Sequence, residues 1–334
     1  MFDRHTAARL AAVVGAVLVT VTAGACGSAT GSEPDPRAAR DADDAFPLTI
    51  DHIHGSTTLT EQPTRIVTLG VTDADIVLAL GTVPVGNTGF TFYDDGLGPW
   101  ADPYVGDAEL TRLRSDSDPD FEQIAALAPD LILGISAGYD EAEYAKLSAI
   151  APTISRPSGY AAYTVDRTVA TTTVATAMGM REQGEELDRR TTELLARTVG
   201  GYPQLVGRTA VAILPYDGQY GAFLPGDARG AFLTSVGLQI PDAVTAQDTG
   251  DSFFVEVSRE NVDILDSDLV LVLGPNENID VVADNPLFAT LTAARNDAVL
   301  AATVDERGAI TYNSVLSIPY AIDTLVPRIA AALR

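Results

Sequence analysis

The sequence predicts an α/β protein of two units, each built on a mostly parallel sheet, joined by one long α-helix. Three observations carry this. Short branched-apolar runs alternate with helical segments, the order that builds parallel sheets covered by helices. A glutamate–helix–strand unit occurs twice, as FEQIAALAPDLILG at 121–134 and RENVDILDSDLVLVLG at 259–274. Between the two alternating regions, VDRTVATTTVATAMGMREQGEELDRRTTELLARTVG (165–200) keeps helical periodicity with no proline.

Taken in order, LTIDHIHGSTTLT alternates around a central glycine and reads as a hairpin or strand pair. RIVTLG (65–70) is a short strand, and TDADIVLALG the helix after it, capped by Thr72 or Asp73. VPVGNTG is extended. FEQIAALAPD is a helix that Pro129 ends, and LILGI is the strand beyond it. EAEYAKLSAI is helical and APTISR extended, which closes a first unit over 47–164. The long helix of 165–200 follows, then a second unit over 201–334. There RTAVAILPY is a strand, RGAFLTSVG a helix closed by Gly237, and RENVDILDSD with LVLVLG repeats the earlier unit. NPLFATLTAARND is helical and AVLAATV a strand. SIPYAIDTLVPRIAAAL is a closing helix, bent or interrupted by Pro319 and Pro327.

The 334 residues are 46% hydrophobic and 20% charged, a composition that folds. A formal net charge of −25 with no basic stripe excludes nucleic acid as a partner. Residues 1–26 form a processing segment: Arg4 and Arg9, then LAAVVGAVLVTV, too short for a membrane span, then TAGAC ending at Cys26. Cys26 is the only cysteine and has no internal disulfide partner. TAGAC resembles the lipobox of bacterial lipoproteins, with Ala23 where those proteins usually carry Leu. That resemblance implies lipidation of Cys26 and anchorage at the outer face of the cytoplasmic membrane. An ordinary signal peptide cleaved nearby would export the chain equally. Residues 27–46 are small, polar and acidic, and read as a disordered tether.

Catalytic chemistry finds little support. GISAG (134–138) has the form of a nucleophile elbow with Ser136 as nucleophile, but its base would be a later histidine. The three histidines are His5, His52 and His54, so a small-residue turn after a strand is the better reading. His52 and His54 form an H-x-H pair on a strand, yet no later histidine completes a metal site, and both read as exposed strand residues. Glycine-rich phosphate loops and C-x-x-C pairs are absent from the sequence.

What remains are aromatic and arginine residues at strand ends. Thr72 follows the first strand of the alternating region, Trp100 and Tyr104 lie in DDGLGPWADPY, and Tyr139 follows LILGI. Arg156, Tyr160 and Tyr163 lie where the first unit ends, and PYDGQYGAFLPGDARG carries Tyr216, Tyr220, Phe223 and Arg229 in a loop. Together they describe a crevice between two units, with arginine suited to an anionic ligand and aromatic faces to bulky groups. In the duplicated unit, Glu122 lies about 160° round a helix from Ile124, and Glu260 about 160° from Val262. Both glutamates therefore face water.

PTRIVTLG, DADIVLALGTVPVG, DFEQIAALAPDLIL, LSAIAPTI, SRENVDILDSDLVLV and LTAARNDAVLAATV, in that order, resemble the substrate-binding proteins of ABC importers for ferric siderophores, haem and cobalamin. The resemblance implies two Rossmann-like lobes, one bridging helix, limited lobe closure, and a monomeric carrier that is not an enzyme. It also implies that Glu122 and Glu260 dock onto the ABC permease. No resident cofactor is implied. A ferric siderophore fits the arginine and aromatic inventory best. Haem, with Tyr139, Tyr160 or Tyr216 as axial ligand, and cobalamin stay open, as do a Ser136 hydrolase and a scaffold that has lost its ligand. Metal importers of related architecture use several histidines, which this chain lacks.

Overall fold

The computed structural model describes residues 46–90, 93–94, 96–113, 119–250, 252–274, 282 and 284–334. A hairpin of β1 (Leu48–His52) and β2 (Gly55–Leu59) opens it, as the alternation predicts. The first lobe holds β3 (Ile66–Thr68), β4 (Gly86–Asn87), β5 (Thr111–Arg112), β6 (Leu131–Gly134) and β7 (Thr153–Ser155). They pair in the order β5-β4-β3-β6-β7, every pair parallel. The helices of more than five residues are α1 (Asp73–Ala79), α2 (Phe121–Ala126), α3 (Glu141–Ser148), α4 (Arg167–Ala177), α5 (Arg181–Gly201), α6 (Ala228–Ser235), α7 (Val304–Tyr312) and α8 (Ser317–Ala332). Side chains alternate across the first sheet as its pleat requires. Ile66, Leu131 and Leu133 pack with Ile76, Val77 and Val174 of α1 and α4, whereas Val67 and Ile132 pack with Ile124 and Leu147 of α2 and α3.

The second lobe holds β8 (Ala210–Tyr216), β9 (Gln219–Phe223), β10 (Phe254–Ser258), β11 (Leu269–Val272) and β12 (Val299–Ala301), in the order β10-β9-β8-β11-β12. β8, β11 and β12 pair parallel, but β9 pairs antiparallel with both β8 and β10. PYDGQYGAFLPGDARG, expected as a loop after the strand, is itself partly strand. The Asp217–Gly218 pair, with φ of 45° and 78°, instead folds β8 and β9 into a tight hairpin.

The duplicated unit supplies β6 and β11, the fourth strand of each sheet. In each copy its aspartate fastens the neighbouring parallel strand. Asp130 accepts the N–H of Thr64, the Thr64 hydroxyl and the N–H of Arg65, all at 2.8 Å. Asp268 accepts the Thr209 N–H at 2.9 Å, its hydroxyl at 3.0 Å and Arg208 Nη1 at 2.9 Å. The copies differ before the strand. Residues 121–126 are α-helical, while Val262–Leu265 is a single 3₁₀ turn. Asp266 leaves the helical region (ψ 119°) and its carboxylate accepts the N–H of Thr292.

The bridge between lobes also differs from one helix over 165–200. Gly179, at φ 69°, ends the first helix, and α4 and α5 pack side by side as a helix pair. α4 lies on α1 and belongs to the first lobe, and α5 carries the chain to the second. Gly184 permits the close approach: a Cβ there would stand 2.2 Å from the Ala175 Cβ. The outer face of α5 carries a ladder of ion pairs, including Arg181–Glu185, Arg190–Glu186 and Arg189–Glu193. Pro319 sits in the first turn of α8, where its missing N–H costs nothing, and Pro327 lies inside without interrupting it. Among the described residues, no helix is long and apolar enough to cross a membrane.

Candidate ligand-binding site

In the first sheet the strand order reverses between β3 and β6, and in the second between β8 and β11. Chains leave such switch points in opposite directions and open a crevice at the carboxyl ends of the strands. Both crevices face one cavity of about 870 Å³, lined from the first lobe by Thr72, Phe90, Ser136, Tyr139 and Tyr163 among others, and from the second by Tyr216, Phe223, Arg229, Phe254 and Tyr312.

The first-lobe wall is held by Asp73, buried at the start of α1. Its carboxylate accepts the N–H of Ile135 at 2.8 Å and of Ser136 at 3.2 Å, which ties the loop after β6 to the loop after β3. Burial pushes the Asp73 carboxyl up to about 6 against these hydrogen bonds. Thr72 caps no backbone group. Its hydroxyl meets that of Ser136 at 2.5 Å, at the cavity wall. Ser136 therefore pairs with Thr72 and Asp73. Tyr139 lines the cavity but donates its hydroxyl to the Leu69 carbonyl at 3.2 Å, and burial holds that hydroxyl well above its ordinary pKa.

In the second lobe, Tyr216 donates to Glu256 at 2.9 Å, and burial followed by Glu256 pushes its hydroxyl up to about 12. The Arg229 guanidinium lies 3.7 Å from the centre of the Phe223 ring and pairs with Asp227. Tyr220 and Phe223 are both on β9, so strand alternation sends them to opposite faces. Phe223 lines the cavity, and Tyr220, 1% exposed, packs on Phe288 instead.

Of the residues expected at the ligand, Thr72, Tyr139, Tyr216 and Arg229 come together around the cavity. Trp100, Tyr104, Arg156, Tyr160 and Tyr220 do not line it. Trp100 sits at the junction of the lobes: its Nε1 donates to Asp75 at 2.8 Å, and its ring meets Tyr312 and Tyr320 at 5.3 and 5.6 Å. Tyr104 is 48% exposed on a short helix. Arg156 donates to the Tyr160 carbonyl, its own carbonyl accepts the N–H of Ile53, and Tyr160 donates to Asp166 at 2.7 Å. Phe90, Phe253, Phe254 and Tyr312 line the cavity and carry no local sequence signal for it.

The histidines also depart from expectation. His52 is buried, with Nε2 3.0 Å from the Thr57 hydroxyl, and His54 stacks on Tyr144 at 4.9 Å. Burial, then His54, lowers the pKa of His52. Both pin the opening hairpin to the first lobe, because side chains at a strand end beside Tyr144 bury their apolar faces there. Among the described residues, no cluster of three or more His, Cys, Asp or Glu side chains could hold a metal ion.

Two α/β lobes with one cavity at the switch points of both sheets define a solute-binding protein. The chain belongs to the periplasmic binding protein family, whose profile matches residues 66–304. It is 28% identical to the Fe(3+)-citrate-binding protein YfmC of Bacillus subtilis over 256 residues, 75% of this chain and 76% of that one. It is also 28% identical to the Fe(3+) dicitrate-binding periplasmic protein FecB of Escherichia coli, over 78% of this chain and 83% of that one. Among solved structures, a periplasmic solute binding protein of Mycobacterium smegmatis is 30% identical with a TM-score of 0.76, covering 86% of this chain and 99% of that one. PiaA of Streptococcus pneumoniae, in complex with ferrichrome, is 25% identical with a TM-score of 0.76, over 86% and 98%.

Proposed function

We propose that this protein captures a ferric chelate between its lobes and delivers it to an ABC permease, without catalysing a reaction. The observation that carries the reading is the aromatic, hydroxyl-rich cavity at two facing switch points, large enough for a chelate and built without a bare-metal site among the described residues. YfmC, FecB and PiaA support iron in chelated form. Haem is less well served, because the hydroxyls of Tyr139, Tyr160 and Tyr216 are all engaged by protein acceptors. A hydrolase centred on Ser136 lacks an activating imidazole in its hydrogen bonds to Thr72 and Asp73.

Glu122 and Glu260, one on each lobe, are both exposed and are proposed to meet the permease. Cys26 and the tether of 27–46 lie outside the described residues but for Phe46. Their proposed roles are a lipid anchor on the outer face of the cytoplasmic membrane and a leash for a monomeric carrier. Mass spectrometry of protein purified from its own host, with titration of ferric chelates, haem and cobalamin, tests the reading. A bound iron chelate supports it; exclusive binding of haem or cobalamin, or ester turnover lost in Ser136→Ala, overturns it.

A further inference from the structure

Among the described residues, five charged side chains line the cavity: Glu143, Asp166, Arg167, Asp227 and Arg229. Their pairing decides what field a ligand meets. Arg167 spends its charge on α5, with Nη1 3.2 Å from Asp188 and Nη2 donating to Thr192 at 3.0 Å. Arg229 stays at the wall, fixed over the Phe223 ring. Asp227 takes its Nε at 2.6 Å and its Nη2 at 2.5 Å, side-on, and also accepts the Arg229 backbone N–H at 2.8 Å as the cap of α6.

Asp227 is 3% exposed, so this neutralising carboxylate is held in place rather than free to swing away. Arg307 is near enough to Arg229 to feel its charge but does not line the cavity, and its own charge is disfavoured by burial and then by Arg229. Across the cavity, Asp166 caps α4 through Val169, and Glu143 completes the capping box of α3, which fixes two further carboxylates near the space a ligand fills. A multiply charged anion entering this low-dielectric space would find Arg229, among the described residues the one lining guanidinium not turned onto α5, already matched.

Resting on the ferric-chelate reading, we infer that Asp227 sets the charge selectivity of the site: the cavity takes ferric chelates of zero or small net charge, such as tris-hydroxamates, and rejects multiply anionic ones. Arg229 then serves a neutral ligand as a hydrogen-bond donor and a flat stacking surface rather than as a counter-ion. This departs from the ferric citrate named for YfmC and FecB.

The test is calorimetric titration of the purified protein with three preformed complexes: a neutral ferric tris-hydroxamate, a trianionic ferric tris-catecholate and ferric dicitrate. The wild type should bind the hydroxamate at least about tenfold more tightly than either anion, and Asp227→Asn should gain roughly tenfold for the tris-catecholate. Asparagine preserves the helix cap, and a thermal melt followed by circular dichroism that matches wild type reports an intact fold. Tightest wild-type binding of an anionic complex, or an unchanged ratio in Asp227→Asn, overturns the selectivity while leaving the ferric-chelate reading in place. Binding of haem or cobalamin and of no iron chelate removes that reading, and the inference with it.

Discussion

Asp130 and Asp268 hold equivalent places in the two lobes, each binding the N–H and hydroxyl of a threonine at the start of the adjacent parallel strand. The two strands so joined flank the switch point in each sheet, so the pair fixes the floor on which the cavity loops stand. Each hydrogen bond to a charged acceptor contributes about 1.5–3 kcal/mol in favourable settings, less where water competes. Asp130→Ala and Asp268→Ala should each lower the free energy of unfolding by about 1–3 kcal/mol, measured by urea denaturation. No shift in either midpoint would mean that the strands need no such fastening.

The Asp268 clamp should also show a pH signature. Burial works to raise the Asp268 carboxyl, but the Thr209 N–H and hydroxyl with Arg208 outweigh it and hold the pKa below its ordinary value. Its contribution is therefore present above the unfolded value and lost as pH falls through the folded one.

Asp75 has the opposite sign. It is fully buried, accepts from Trp100, and accepts from Ser314 of the second lobe, while Oδ1 has no partner. Burial pushes its carboxyl up to about 7 against those two hydrogen bonds. The folded state thus keeps a proton that the unfolded chain loses above its ordinary value of 3.8, and stability falls as pH rises from there to about 7. Thermal melts at about pH 5 and about pH 8 should show wild type losing stability across the interval and Asp75→Asn losing less. Asp73, pushed up to about 6, leaves the variant a residual slope. Equal slopes in both proteins would dismiss the assignment.

The α4–α5 packing gives a steric prediction. A Cβ at Gly184 would fall 2.2 Å from the Ala175 Cβ and 3.3 Å from the Thr171 carbonyl oxygen. Gly184→Ala gains helix propensity, about 1 kcal/mol, yet must push the two helices apart, which costs about 1–3 kcal/mol. The net expectation is a lower melting temperature, read by circular dichroism; a higher one would show that the pair can separate freely.

Docking is tested by charge reversal. Glu122→Lys with Glu260→Lys should abolish uptake of the iron chelate in cells while calorimetric affinity for it stays unchanged. An equal loss of affinity would place these glutamates at the ligand rather than at the permease.

Much of the fold was legible because the core strands are short runs of branched residues with few other uses. LILG and LVLV, each bounded by a turn signal and a glycine, read as buried parallel strands, and they take matching positions. The break at Gly179 has no clear mark in the sequence because apolar spacing continues on both sides and one glycine is tolerated in a helix. β9 is faintly marked because QYGAF is short and carries a glycine, although the Asp-Gly pair before it is a hairpin signal. The site was harder to read. Thr72 and Tyr139 follow strands and Tyr216 ends one, close enough for topology to place them, and Arg229 lies beyond β9 at the start of α6. Trp100 was misplaced because its aromatic partners, Tyr312 and Tyr320, come from the far end of the chain. Phe90 and Tyr312 reach the cavity through tertiary contacts that no local pattern records, such as the hydrogen bond from the Phe90 N–H to the Tyr312 hydroxyl at 3.0 Å.

The position of Trp100 gives the protein a built-in optical gauge. It is the only tryptophan in the chain, it stands outside the cavity, and its indole is clasped by a carboxyl of its own lobe and two tyrosines of the other. The wavelength at which this one residue emits therefore depends on the packing between the halves and not on the bulk of what fills the cavity. A coloured ligand would darken it by absorbing its emission from a distance, whereas a shift in its wavelength would mark a change in that packing.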